Sequence, residues 1–130
     1  MTPPTPSRIM TMASAFYDSC VLFTASDLGV FAQLAELGRA DAAALAPALN
    51  LDKRGARLLL DACVALELLV KDGDTYSNTP EAAAFLVPGS PADLSKAIRY
   101  TRDVYPAWGK LPALVTTGRP VEAPEIHLGD

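Results

Sequence analysis

Residues 58–78, LLLDACVALELLVKDGDTYSN, combine the pattern of a helix with the pattern of a β-hairpin. The apolar residues that recur at helical spacing and share one face are Leu58, Ala62, Ala65, Leu66 and Leu69. The pair Asp72-Gly73 then separates two short runs that are typical of strands. An Asp-Gly pair at this place predicts a type I′ turn, in which both central residues need a positive φ. The stretch therefore predicts a helix that leads directly into a hairpin.

A shorter helix is predicted just before this stretch. Asp41 can cap a helix that runs to about Leu49, and Pro47 should kink or shorten that helix because proline removes one intrahelical bond. Asn50 suits its C-terminal end, and Asp52 can cap the longer helix that follows. Helix, turn, longer helix and hairpin follow one another in the order of a winged helix. The sequence thus predicts a mainly α, winged-helix-like domain with a small two-stranded β-hairpin wing.

Long helices are predicted at both ends of this domain, and they suit dimerisation. Residues 1–7 contain three prolines and are predicted to be a flexible head, with Ser7 as the cap of a helix that starts at Arg8. Between Ser7 and Asp27 the only charged residues are Arg8 and Asp18. A helix this apolar needs cover on more than one side, which favours an intertwined partner chain. Asp27 to Phe31 is expected to break the helix.

The C-terminal part is predicted to contain three further helices. Thr79 and Pro80 can start a short one, and an approximate capping box that ends at Asp93 is expected to restart helix. Pro106 should end that helix, and a last helical piece that carries Trp108 should run to Gly118. Residues 119–130 show no clear period and are predicted to be a connector. The folded domain is therefore placed at residues 8–118.

Charge and composition weigh against a nucleic-acid partner, although they leave it open. The chain has a net charge of −4, whereas proteins that bind phosphates usually present a basic face. Lys53, Arg54 and Arg57 do cluster where a recognition helix would begin. The expected wing, however, carries Asp72 and Asp74 at its tip. A winged-helix transcriptional regulator that binds DNA therefore remains the alternative function.

Residues able to perform catalysis or bind metal are scarce in the sequence. No two of its glycines stand two residues apart, so the chain lacks a glycine-rich cofactor loop. The single histidine, His127, is interpreted as a solvated residue of the connector. Cys20 and Cys63 are interpreted as small buried hydrophobic residues in a reducing compartment, and Asp61 and Glu67 as solvent-facing charges. With neither a signal peptide nor a membrane span recognised, a cytoplasmic location is expected.

Four motifs in a fixed order carry a resemblance to a known family. They are residues 25–31 (ASDLGVF), residues 58–69 (LLLDACVALELL), residues 76–79 (YSNT), and Trp108-Gly109-Lys110-Leu111 followed by Thr117-Gly118. Together they resemble the N-terminal dimerisation domain of small-molecule O-methyltransferases that use S-adenosylmethionine, of the plant phenylpropanoid and bacterial polyketide-tailoring types. Two positions depart from the family pattern: Pro47 in a helix that is usually unbroken, and Glu67 in place of a small residue.

The resemblance implies a dimerisation and substrate-lid module that is not catalytic by itself. Such a module forms a homodimer by exchanging its first helix, and S-adenosylmethionine binds to a catalytic domain that this chain lacks. The chain itself is then expected to hold no cofactor and no metal, and to have neither nucleic acid nor membrane as a partner. The residues that the resemblance places against a small aromatic acceptor are Met10, Phe16, Tyr17, Tyr105 and Trp108. Phe16 and Trp108 could equally be ordinary core residues, since aromatic side chains at helical spacing usually are.

Overall fold

A computed structural model of the chain describes residues 2–120, which contain seven helices and three short strands. The elements are α1 Ser7–Asp27, α2 Val30–Leu37, β1 Ala40–Asp41, α3 Ala42–Ala48, α4 Lys53–Ala65, β2 Leu69–Asp72, β3 Thr75–Asn78, α5 Pro80–Phe85, α6 Ser95–Trp108 and α7 Leu111–Thr117. The predicted fold class, mainly α with a small β wing, is confirmed. The predicted connector, residues 119–130, lies largely outside the described residues, and His127 lies wholly outside them.

The wing has one more strand than the sequence predicted. β3 lies in the middle of an antiparallel sheet of order β1-β3-β2, and Ala40 pairs with Tyr76. With only two residues, β1 shows no alternation of polar and apolar side chains. Its pairing with β3 therefore left no recognisable signal in the local sequence.

The hairpin turn also differs from the predicted one. Asp72 pairs with Thr75 across the two strands, so the loop consists of Gly73 and Asp74 and not of Asp72 and Gly73. Gly73 has a φ of 60°, and Asp74 is not among the residues with positive φ. Glycine at the first central position, with positive φ there alone, is the pattern of a type II′ turn. The type I′ prediction was wrong because Asp72 belongs to the strand.

The predicted caps of α3 and α4 are confirmed. Asp41 Oδ1 accepts the Ala44 N–H at 2.8 Å, and Asp52 Oδ2 accepts the Gly55 N–H at 2.8 Å. These bonds satisfy backbone donors that a first helical turn leaves without intrahelical partners. α3 contains Pro47 and is only seven residues long, as expected from the proline.

Three boundary predictions near the chain ends were wrong. Pro6, not Ser7, occupies the N-cap of α1, and no side chain caps that helix. The Asp93 carboxylate accepts the backbone N–H groups of Gly89 (3.1 Å) and Ser95 (2.7 Å), so it holds a turn before α6 and is not inside a helix. Pro106 lies inside α6. Its missing N–H removes a bond only in the last turn, so the helix continues to Trp108.

The hydrophobic core lies between α2, α4 and the hairpin. The largest fully buried side chains are Tyr76, Phe31, Leu34, Leu45, Leu60 and Leu69. α1 buries only Phe23 and Ala25, and α6 and α7 bury none of their residues. The two ends of the domain therefore pack on the outside of a winged-helix unit and leave much of their own surface exposed.

Within residues 2–120, no single helix is both long enough and apolar enough to cross a membrane. α1 and α2, which meet at an angle of 56°, satisfy length and composition only when they are taken together.

Candidate functional site

Two apolar surfaces of this chain face solvent. The α1 face consists of Ile9, Met10, Met12, Phe16 and Tyr17, each 48% to 61% exposed. The α6–α7 face consists of Tyr105, Trp108, Leu111, Leu114 and Val115, each 37% to 74% exposed. Isolated exposed apolar residues are common, but groups of them at helical spacing mark surfaces that bind a partner or ligand.

A groove of about 300 Å³ lies between α1 and α6, where these two faces meet. Its lining includes Phe16, Ser19, Phe23, Thr101, Tyr105 and Trp108. This volume is at the lower end of the range of about 300–1,000 Å³ found for ligand pockets. The walls are mostly aromatic and aliphatic, so the groove suits a small, flat, mainly apolar molecule.

Tyr105 is held in the groove wall by two contacts with α1. Cys20 Sγ and Tyr105 Oη lie 3.3 Å apart, within hydrogen-bond distance, and the Phe23 ring meets the Tyr105 ring edge-on, with centroids 6.0 Å apart. The Cys20 contact, with a smaller contribution from burial, raises the pKa of Tyr105 above its usual value of 10.0. The Tyr105 hydroxyl therefore keeps its proton at neutral pH.

An ion pair also joins α6 to the end of α1. Arg102 lies 3.5 Å from the carboxylate of Asp27 and 3.1 Å from that of Asp103. Both interactions are partly exposed, so each is expected to contribute less than about 1 kcal/mol. The Arg102–Asp27 pair and the Cys20–Tyr105 contact therefore both join α6 to α1, whereas the Arg102–Asp103 pair lies within α6.

The five residues predicted to contact a substrate are only partly brought together. Phe16, Tyr105 and Trp108 line the groove, whereas Met10 and Tyr17 lie on the α1 face outside it. The Tyr17 ring packs edge-on against that of Phe16, with centroids 4.7 Å apart. Phe16 is 48% exposed and Trp108 is 67% exposed, so neither belongs to the core of the single chain. Contact of all five with a substrate stays a prediction.

The two cysteines differ more than the sequence suggested. Cys63 is fully buried, as predicted, and burial raises the pKa of its thiol to about 11. Cys20 is only half-buried and directs its thiol to Tyr105, so its interpretation as a buried hydrophobic residue was wrong. Eighty-five positions separate Cys20 from Tyr105, and no local pattern in the sequence connects them.

Asp61 faces solvent in part, as predicted, with 44% of its side chain exposed, but it also belongs to a polar cluster between α4 and the hairpin that the sequence did not predict. Its carboxylate accepts hydrogen bonds from Tyr76 Oη at 2.5 Å and from Lys71 Nζ at 3.0 Å. The bond from Tyr76 first, and then the bond from Lys71, lower the pKa of Asp61 from its usual 3.8. Lys71 also lies 5.2 Å from the centre of the Tyr76 ring. The cluster joins the helix to the wing, and it lies outside the groove.

The basic residues at the start of α4 form a separate surface. Lys53, Arg54 and Arg57 line a concavity of about 450 Å³ together with Asp52. The tip of the wing presents Asp72 and Asp74, both exposed. Among residues 2–120, no three His, Cys, Asp or Glu side chains are grouped closely enough to hold a metal ion.

Comparison with known proteins agrees with the motifs in the sequence. The model of the O-methyltransferase dimerisation domain matches residues 10–88. Acetylserotonin O-methyltransferase of Mus musculus is 43% identical over 118 residues, which covers 85% of this chain and 30% of that protein. The N,N-dimethyltransferase OxyT of Streptomyces rimosus is 35% identical, over 92% of this chain and 35% of that protein. The chain thus spans about a third of the length of these relatives.

Solved structures show the same likeness in three dimensions. Human N-acetylserotonin methyltransferase in complex with SAM superposes with a TM-score of 0.78 and 37% sequence identity, over 91% of this chain and 36% of that chain. PigF with SAH superposes with a TM-score of 0.80 and 29% identity, over 91% of this chain and 39% of that chain. The fold, the matched residues and the relatives agree, and the chain belongs to the family of O-methyltransferase dimerisation domains.

Proposed function

We propose that this chain is the dimerisation and substrate-lid module of a small-molecule O-methyltransferase that uses S-adenosylmethionine. The observation that carries the proposal is the position of the two exposed apolar faces, which meet at an aromatic groove on a domain of the dimerisation family. The methyl transfer itself belongs to a separate catalytic domain that binds the cofactor. Two structural relatives support this division, since they contain SAM or SAH and are about three times longer than the matched region.

A second copy of the chain is the proposed cover for the α1 face. The first half of α1, from Ser7 to Phe16, buries none of its residues against the rest of the chain. Exchange of α1 between two copies would remove this surface from water on both chains at once. Obligate dimers of this kind commonly bury more than about 2,000 Å², and their interfaces are more apolar than those of transient complexes.

A small aromatic acceptor is the proposed ligand of the groove. Phe16 and Trp108 offer ring faces that can bury a flat ligand without leaving polar groups unpaired. Tyr105 adds one hydroxyl group among these apolar side chains. Met10 and Tyr17 would reach such a ligand from the exchanged helix of the partner.

Analytical ultracentrifugation of the wild type and two glutamate variants tests the proposed dimer. We expect a dimeric mass at low micromolar concentration for the wild type and a monomeric mass for Ile9→Glu, because the new charge would be buried without a partner. Val70→Glu is the matched control, since Val70 is 48% exposed on the wing, away from both faces. A monomeric wild type, or a dimer that Ile9→Glu leaves intact, would refute the proposal.

We propose a cytoplasmic location for this chain. We propose neither nucleic acid nor membrane as its partner. Lys53, Arg54 and Arg57 share their surface with Asp52, and the wing presents Asp72 and Asp74 where a DNA-binding wing would meet phosphates. In an electrophoretic shift assay at low salt with random duplex DNA, we expect no complex at tens of micromolar protein. A shifted band that disappears in Arg54→Ala would restore the regulator as a function.

A further inference from the structure

The outward side of α4 carries an apolar stripe that the core does not use. On its inner side the helix buries Ala56, Leu60 and Cys63. Leu58, Ala62 and Ala65 recur at helical spacing on the opposite side, where Leu58 is 50% exposed and Ala65 is exposed as well. The helix has 13 residues and is about 20 Å long, which matches about four turns of a partner helix. This outer face of α4 can therefore pack against another element of that length.

An apolar pocket of about 240 Å³ adjoins the outer face of α4 on the side of α1. Its lining includes Leu28, Leu51, Gly55 and Leu59. Gly55 leaves the pocket open, since a Cβ at this position would meet only the Asp52 side chain, at 3.5 Å. The Thr24 hydroxyl in the lining already donates to the Cys20 carbonyl at 2.7 Å. The pocket therefore suits an apolar side chain.

Three basic side chains flank the outer face of α4 on its other side. Lys53, Arg54 and Arg57 line the concavity of about 450 Å³, and all three are exposed. Within residues 2–120 none of them forms an ion pair, and Arg57 acts on Asp61 only through weaker, longer-range attraction. The lining includes one carboxylate, that of Asp52, which already caps α4. The concavity thus keeps a positive charge in a chain whose net charge is −4.

The segment that complements this surface is an acidic amphipathic helix. Such helices dock on apolar surfaces through side chains at i, i+3, i+4 and i+7. Carboxylates along one edge of the helix would lie over the basic concavity, where opposite charge favours encounter and fixes orientation. Nucleic acid fits less well, because its phosphates would leave the apolar stripe and pocket uncovered. The α1 helix of a second copy also fits less well, since Asp18 is its one acidic residue before Asp27.

We propose that the outer face of α4 docks an acidic amphipathic helix of another protein. Apolar side chains of that helix cover Leu58 and enter the pocket beside Gly55, and its carboxylates lie against Arg54 and Arg57. The surface is separate from the groove between α1 and α6 and from the exposed first half of α1. The inference therefore goes beyond the proposed function and does not depend on it.

Two designed peptides of opposite charge test this docking. Each is a helix of about 16 residues with leucines at i, i+3, i+4 and i+7, and with either glutamates or lysines along one edge. Fluorescence anisotropy of the labelled peptides measures their binding to the full chain. We expect a dissociation constant of about 10–100 µM for the glutamate peptide and binding at least about tenfold weaker for the lysine peptide. Chemical-shift changes in nuclear magnetic resonance spectra should fall on α4.

Substitutions on α4 separate the charge contribution from the apolar one. Arg54→Glu should weaken binding of the glutamate peptide by about threefold to tenfold and strengthen binding of the lysine peptide by a similar factor. Leu58→Asn should weaken binding of both peptides by about threefold to tenfold. Arg99→Glu, an equal charge change at an exposed position of α6, is the matched control and should change neither. Lys53→Glu is a second charge variant if circular dichroism shows that Arg54→Glu does not fold.

Several results would overturn the docking surface. They are no binding of the glutamate peptide, equal affinity for the two peptides, affinities that Arg54→Glu and Leu58→Asn leave unchanged, and shift changes confined to α1 or to α6 and α7. Loss of the dimer in Leu58→Asn would make a second copy the occupant, and a DNA complex that depends on Arg54 would make it nucleic acid. Failure of the peptides to bind would leave the groove and its proposed acceptor unaffected.

Discussion

Two residues other than glycine have a positive φ in the described part of the chain, and each follows the end of a helix. Asn50 has a φ of 57° after α3, and Glu67 has a φ of 62° after α4. In each case the next residue donates its N–H back into the last turn, from Leu51 to Ala46 O at 2.7 Å and from Leu68 to Cys63 O at 2.9 Å. This arrangement is the Schellman motif, which usually places glycine at the left-handed position.

Glu67→Gly should therefore stabilise the domain. A side chain in the left-handed region is strained, and the relief should exceed the extra entropy of glycine in the unfolded state, for a net gain of about 0.5–1 kcal/mol. Urea denaturation monitored by circular dichroism measures the change. Asn50→Gly is the matched control, with a smaller gain, because asparagine tolerates this conformation better. A loss of stability in Glu67→Gly would contradict the explanation.

Tyr76→Phe should destabilise the domain in a pH-dependent way. The lost hydrogen bond to Asp61 should cost about 1 kcal/mol at pH 7, below the usual range for bonds to charged groups, because the Asp61 side chain is 44% exposed. The pKa of Asp61 is lower in the folded state than its usual 3.8. The contribution of this carboxylate is therefore complete above about pH 4, and it is lost as the pH falls through the lowered pKa.

Urea denaturation of the wild type and Tyr76→Phe between pH 7 and pH 3 measures this effect. The difference in unfolding free energy should be constant from pH 7 to about pH 4 and should shrink below that value. Tyr100→Phe, an exposed tyrosine on α6, should show little difference at any pH. A difference between wild type and Tyr76→Phe that grows on acidification would contradict the role of Asp61.

At the scale of the elements, α6 and α7 differ from the rest of the fold. They bury no residue in the single chain, whereas α2 buries Val30, Phe31 and Leu34. α6 contacts α1 through Tyr105 and Arg102, and both of these side chains are partly exposed. The C-terminal helices thus present a surface and add little to the core.

Trp108→Ala should cost little stability in a chain that cannot dimerise. In the Ile9→Glu background, where dimer contacts are removed, we expect a loss below about 1 kcal/mol, as for surface substitutions. Phe31→Ala in the same background is the matched control and should cost about 3–5 kcal/mol, because Phe31 is 1% exposed. Equal losses in the two variants would show that Trp108 is a core residue after all.

At the scale of the whole molecule, the proposed function divides the work between two domains. In that proposal, this domain supplies apolar surface and an aromatic groove, and a second domain would bind the cofactor. The eight glycines of the chain are dispersed, and none of them lies two residues from another. A glycine-rich loop that could approach a nucleoside-type cofactor is therefore missing from the sequence.

The isolated chain should not bind S-adenosylmethionine. Isothermal titration calorimetry at about 50 times the typical micromolar dissociation constant of a cofactor site should give no saturable heat. A far-ultraviolet circular dichroism spectrum of the same sample serves as the control that the chain is folded. Saturable micromolar binding of S-adenosylmethionine would contradict the division between the domains.

The sequence alone determined the features that depend on short-range interactions. A capping bond spans three residues, so Asp41 and Asp52 could be assigned from their neighbours in the chain. The existence of α4 and of the hairpin after it follows from local spacing in the same way. The predicted apolar face that begins at Leu58 was wrong, because α4 buries Ala56, Leu60 and Cys63, and Leu58 is 50% exposed. The order of these elements predicted the winged-helix fold, and the four ordered motifs identified the family, without any knowledge of tertiary contacts.

Only the tertiary structure decided the features that join distant parts of the chain. β1 pairs with a strand about 35 residues away, Asp61 meets Tyr76 from another element, and Cys20 reaches Tyr105 across 85 residues. Such contacts depend on the angles at which helices and strands pack, and a periodic pattern of apolar residues does not specify those angles. For the same reason, the sequence named Phe16, Tyr105 and Trp108 as candidates, but only the packing of α6 on α1 placed them in one groove and left Met10 and Tyr17 outside it.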